Sequence, residues 1–209
     1  EVSKRFTFKN IELINKYEAQ GKSVVLMCAH YASWEWLIVL AKYIDYKSIA
    51  VYKKLGNKYF DRLVINIRKK FDAHLIESGK SIELMEENES KGIKAFYGFA
   101  SDQSPQLIRA KYWDDFMGIN VPVYTGAEMI AKRLDFNMIF VKVKKVKRGY
   151  YQATICPLVD NPLEVPDYEI TSLYLREVEK QILEAPEFYF WTHKRWKHAG
   201  KNPNLQTTA

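Results

Sequence analysis

The chain has 209 residues, 47% hydrophobic and 14% aromatic, which is enough for a substantial core and excludes a disordered polypeptide. Its net charge of +7 points to anionic partners: nucleic acid, an anionic membrane surface, a phosphorylated lipid or an acidic carrier protein. No apolar run approaches the roughly 20 residues that span a bilayer, and both cysteines, Cys28 and Cys156, sit in apolar runs, which argues against a disulfide framework and for a reducing compartment.

In chain order, FKNIELINKYEAQ (8–20) has helical spacing, with Gly21 as its stop. KSVVLMCA (22–29) is a continuous apolar run of strand length, as in a buried parallel strand. Ser33 is placed to cap a helix over WEWLIVLAKYI (34–44), with Glu35 in its first turn. SIAVYK (48–53) reads as a strand, KYFDRLVINIRKKF (58–71) as a helix with a basic end, HLIE (74–77) as a short strand and SIELMEENES (81–90) as a helix. IKAFYGFA (93–100) is a strand, followed by the polar loop SDQSPQ (101–106). VYTGAEMIAKRLD (123–135) predicts a helix starting near Thr125. NMIFVKVKKVKRGYYQATICPL (137–158) alternates across KRG and predicts an antiparallel hairpin. EITSLYLREVEKQILEAP (169–186) is an amphipathic helix stopped by Pro186. No repeat, low-complexity tract or linker interrupts the chain, so a single domain is expected over residues 1–209. Helices alternate with strands before the hairpin, which predicts an α/β fold: a mixed, mostly parallel sheet flanked by helices.

Reactive residues in such sheets lie just beyond the C-terminal ends of strands. His30 follows one strand; Ser101, Asp102 and Gln103 follow another, and the two loops can share a mouth. In HYASWEW, Glu35 can fold back toward His30, accept a hydrogen bond from one imidazole nitrogen and leave the other as a general base. The bland alternative is a core histidine beside a surface acid, and spacing alone does not separate the two. Asp102 equally suits an Asx turn before Pro105, and Arg68 an ordinary exposed helix. Trp34 and Trp36 read as packing aromatics. The KVKKVKRG hairpin reads as a solvated basic ribbon, with anionic lipid as a possible partner.

GKSVVLMCAHYASWEW, VYK, FASDQSP, DFMGINVPVYTGAEMIAKRLD and PEFYFWTHKRWK occur in this order. Together, over residues 8 to 198, they resemble the bacterial lipid A late acyltransferases of the lysophospholipid acyltransferase superfamily. The resemblance implies a glycerolipid-acyltransferase-like fold and transfer of a fatty acyl chain from an acyl carrier protein thioester to a hydroxyl of a lipid A precursor. His30 would be the base of its HxxxxE motif and Glu35 the carboxylate that orients it, with no acyl-enzyme and no cofactor or metal. Arg68, Asp102 and Gln103 would bind substrate. The resemblance also implies an anionic lipid acceptor and work at the cytoplasmic face of the inner membrane, with the family's N-terminal anchor region lying outside this chain, which opens on EVSKRF without a methionine. Other acceptors, a lysophospholipid or an amino-acid lipid, and acyl-CoA as donor stay open. The rival outside the enzyme class is a basic nucleic-acid-binding module, motivated by charge alone.

Overall fold

A computed structural model describes residues 1–71 and 73–205. The chain runs through α1 (Val2–Arg5), β1 (Phe6–Lys9), α2 (Glu12–Ala19) and β2 (Val24–Cys28), then a 3-10 helix over Trp34–Lys42. It continues through β3 (Lys47–Tyr52), α3 (Lys58–Arg68), β4 (His74–Glu77), α4 (Ser81–Ser90) and β5 (Ala95–Ala100). The last part holds β6 (Tyr112–Phe116), β7 (Ile119–Val123), α5 (Gly126–Arg133), β8 (Asn137–Lys147), β9 (Tyr150–Pro157) and α6 (Glu169–Glu184). Among the described residues no helix is long and apolar enough to cross a membrane.

The main sheet has strand order β1-β9-β8-β2-β5-β3-β4. The strands from β8 to β4 run parallel, while β9 returns antiparallel to β8 and β1 lies parallel to β9. The fold is therefore α/β with a mixed, mostly parallel sheet flanked by helices, as expected. β2 lies between two parallel neighbours and under helices, and all five of its residues are buried, which is why VVLMC is apolar without alternation. The β8–β9 hairpin forms where KRG predicts it, with Gly149 at φ +74° in the turn. α6 buries Tyr174, Leu175, Val178 and Ile182 at helical spacing and packs against β8.

Three local readings change. The segment 8–20 is not one helix: Asn10 takes the left-handed conformation (φ +61°) and its side-chain amide donates to the Ile155 carbonyl at 3.2 Å. That break frees Phe6–Lys9 to pair with β9 and to bury Phe6 completely. The segment after His30 is a 3-10 helix in which the Ser33 side chain makes no capping bond. β6 and β7, which alternation did not reveal, form a separate antiparallel hairpin turning at Met117 (φ +53°) and Gly118 (φ +76°), the left-handed pair of a tight hairpin turn.

Candidate active site

Sheet register places the site. Cys28, the last residue of β2, pairs with Ala100, the last residue of β5. His30 and Asp102 each lie two residues further on, so the two loops leave adjacent strand ends side by side. One oxygen of Asp102, Oδ1, accepts the main-chain N–H of His30 at 3.2 Å and lies 2.7 Å from its ring Nδ1. Asp102 is 1% exposed, which makes it the buried half of the pair. A carboxylate at Nδ1 selects the tautomer with the proton there and leaves Nε2 as the basic nitrogen. Nε2 has no hydrogen-bond partner among the described residues.

The expected hydrogen bond from His30 to Glu35 is absent, and Asp102 takes that place. Ala32 adopts a left-handed conformation (φ +50°) and the chain then enters the 3-10 helix, a path different from the α-helical first turn that the spacing argument assumed. Glu35 instead takes the guanidinium fork of Arg68, with Oε1 accepting from Nη2 at 2.6 Å and Oε2 from Nε at 3.1 Å. Arg68 also lies over the Trp34 ring, 5.9 Å from its centroid. Gln103, adjacent to Asp102, is half-buried and bonds neither His30 nor Glu35 among the described residues. Of the sequence-predicted residues, then, His30 and Asp102 form one pair and Glu35 and Arg68 another, while Gln103 stands apart.

Beside these pairs opens an apolar cavity of about 540 Å³, within the range of small-molecule sites. Its walls include Leu37, Leu40, Ile49 and Val64, with Glu35 and Arg68 also on its lining. His30 borders it: its ring packs edge-on against Trp34 at 4.7 Å and lies 6.2 Å from Phe190, and both of those rings line the cavity. Cys28 also lines it, but burial first, and then the charges of Asp102 and Glu35, push its thiol far up, and its S–H points to the Phe99 carbonyl. A thiol so held is inert as a nucleophile.

A model of bacterial lipid A biosynthesis acyltransferases matches residues 1–198. The chain belongs to that family. It is 26% identical over 190 residues to the lipid A biosynthesis lauroyltransferase of Escherichia coli (strain K12), a match covering 90% of this chain and 60% of the relative's length. The chain thus spans about three-fifths of that relative.

In this member of the lipid A biosynthesis acyltransferase family, the segment FYFWTHKRW (188–196) straps the His30 and Asp102 loops together. Ala32 N–H donates to the Phe188 carbonyl at 2.8 Å, and Phe190 N–H to the His30 carbonyl at 3.0 Å. On the other loop, Ser104 N–H donates to His193 Nε2 at 3.1 Å. His193 must be neutral at Nε2 to accept, and burial first, then Lys197, holds its pKa below the ordinary value. Arg195 is 1% exposed; its Nη1 donates to Ser104 Oγ at 3.2 Å and to the Pro122 carbonyl at 3.1 Å. Its guanidinium lies over the Phe116 ring at 4.9 Å. Burial lowers the Arg195 pKa, against the opposing influence of Tyr189 and Asp102. The Tyr189 hydroxyl is pushed strongly up by burial and by the Asp102 charge. At the level of sequence, PEFYFWTHKRWK entered only as part of the resemblance, and Tyr189 and Arg195 were not found as buried neighbours of the Asp102 loop. The available signal was an arginine flanked by aromatic residues in an otherwise solvated-looking run.

Proposed function

We propose that this chain moves a fatty acyl group from an acyl carrier protein thioester to a hydroxyl of a lipid A precursor, by direct transfer in a ternary complex. The observation that carries the reading is His30, held at Nδ1 by a buried carboxylate, at the edge of an apolar cavity. His30 Nε2 takes the proton of the acceptor hydroxyl as its oxygen attacks the thioester carbonyl carbon. The C–S bond then breaks, the acyl group leaves as an ester on the acceptor, and the departing thiolate takes the proton back from Nε2. Asp102 fixes the ring and stabilises the imidazolium that exists between the two proton transfers. The acyl chain lies in the cavity, which excludes water from the thioester. Arg68, neutralised in the free protein by Glu35, meets the negative charge of donor or acceptor at the mouth. Gln103 is a further substrate contact on the Asp102 loop. Direct transfer without an acyl-enzyme is supported by the absence, among the described residues, of a Ser, Thr or Cys hydrogen-bonded to His30. The setting is the cytoplasmic face of the inner membrane, where both the acyl carrier protein and the lipid acceptor are within reach.

The test is acyl transfer by His30→Ala with an acyl carrier protein donor and a lipid A precursor. The expected loss in kcat is about 10²–10⁴-fold, the contribution of a positioned general base. A folded His30→Ala variant that turns over at close to the wild-type rate overturns the mechanism.

A further inference from the structure

We infer that α3 is a membrane-docking helix that lies in the plane of an anionic bilayer surface, beside the cavity. Tyr59, Leu63 and Ile67 recur every four residues and form one outward stripe, with Phe60 alongside; they are 78%, 52%, 49% and 56% exposed respectively. The opposite face is turned inward: Asp61 is buried and accepts the Leu55 N–H at 2.9 Å, and Val64 and Arg68 line the cavity. The helix is therefore held in shape by the protein itself, with its N-terminus capped by Asn57, which accepts from Tyr59 N–H and Phe60 N–H at 3.0 and 3.1 Å. Four large apolar side chains in one exposed stripe cost free energy in water and lose that cost when they enter the acyl-headgroup boundary.

The flanking charge selects the occupant. Lys53, Lys58, Arg62, Lys69 and Lys70 are exposed and have no acidic partner among the described residues. A second copy of this face would bring like charges together, whereas an anionic leaflet attracts each one by about 1 kcal/mol. The β8–β9 ribbon has comparable charge but, among its described residues, exposes only Val146 and Tyr150 as large apolar side chains. Phe60 both lines the cavity and stands on the exposed stripe, so the docking face is continuous with the cavity wall. A lipid acceptor or acyl chain at the bilayer surface would thus meet the cavity without crossing water. This inference rests on the lipid-directed reading above, but its readout is binding without acyl transfer, so the two fail separately.

The experiment is cosedimentation of the chain with phosphatidylcholine–phosphatidylglycerol vesicles and with pure phosphatidylcholine vesicles. The Leu63→Glu/Ile67→Glu variant is expected to bind the mixed vesicles about tenfold or more weakly, since two anchors are lost. Lys69→Glu/Lys70→Glu should lose about fivefold per charge on mixed vesicles and little on the neutral ones. Lys144→Glu/Arg148→Glu, on the hairpin, should bind like wild type. Circular dichroism melts check that each variant folds, and Leu63→Glu/Ile67→Glu should keep acyl transfer to a detergent-dispersed acceptor. The inference is overturned if wild type ignores anionic vesicles, or if the hairpin variant loses as much binding as the α3 variants. It is also overturned if the α3 variants keep vesicle binding and lose instead self-association or binding to acyl carrier protein.

Discussion

At the residue scale, a single oxygen does two things. Asp102 Oδ1 receives both the main-chain N–H and the ring Nδ1 of His30, so the carboxylate sets the position of the loop and the orientation of the ring together. A rotation of the imidazole would break the shorter of these two contacts and leave the buried carboxylate only the main-chain N–H at Oδ1, which costs free energy. The Glu35–Arg68 pair is different. Its bidentate geometry is specific, but Glu35 is 46% exposed at its side chain, so the pair adds little to stability. In the proposed reaction its role is to present Arg68 on the cavity lining. Glu35→Ala and Arg68→Ala should each lower acyl transfer while melting close to wild type, and the double variant should lose little more than either alone, because the two act as a unit. A rate for the double variant equal to the product of the single losses would show that they act independently.

At the element scale, the site depends on how α6 is seated. Tyr174, buried on α6, donates its hydroxyl to the Cys28 carbonyl at 2.6 Å, two residues before His30. The start of α6 is in turn fixed by Glu128 of α5, which is fully buried. Glu128 accepts from the main-chain N–H of Tyr168 and of Thr171, both at 2.8 Å, and from the Thr171 hydroxyl at 2.6 Å. Lys132 supplies the countercharge at 3.0 Å. These bonds hold Tyr168 at φ +72°, a conformation that costs a non-glycine residue about 1–3 kcal/mol unless the surroundings enforce it. Removing the carboxylate leaves the Tyr168 and Thr171 donors unpaired, while Lys132 keeps the Val165 carbonyl at 2.8 Å and Asp167 at 3.0 Å. Glu128→Ala should therefore lower stability by about 3–5 kcal/mol in urea unfolding, whereas a loss under about 1 kcal/mol would mean that water replaces the carboxylate without penalty.

At the scale of the whole molecule, much of the architecture was legible. Long apolar or amphipathic segments such as VVLMC and EITSLYLREVEKQILE have only one good packing each, and the KRG turn announced its hairpin. Position beyond strand ends put His30 on one loop and Ser101, Asp102 and Gln103 together on another, and only the family resemblance picked out Asp102 among them. Their pairing was harder to read, because it follows from the β2–β5 register, a non-local fact that spacing along the chain cannot express. Spacing instead favoured Glu35, since an HxxxxE interval assumes an α-helical turn where the chain makes a 3-10 one. β1 escaped notice because Asn10 ends it inside a helical-looking pattern, and β6–β7 because Pro122 and paired acids blur the alternation. Arg195 escaped because a run of cations looks solvated until its aromatic neighbours are known to enclose it. The assembled molecule thus brings His30, the buried carboxylate of Asp102, an apolar cavity and a basic amphipathic helix to one neighbourhood.

The central claim of the proposed mechanism is that Asp102, not Glu35, orients His30 as the base. Asp102→Asn and Glu35→Gln, both near-isosteric, should be compared in acyl transfer under saturating donor and acceptor. The account predicts that Asp102→Asn loses about 10²–10⁴-fold in kcat, the scale of the base itself, and that Glu35→Gln loses far less. A folded Asp102→Asn enzyme with near-wild-type kcat, beside a Glu35→Gln enzyme that is inactive, would contradict it.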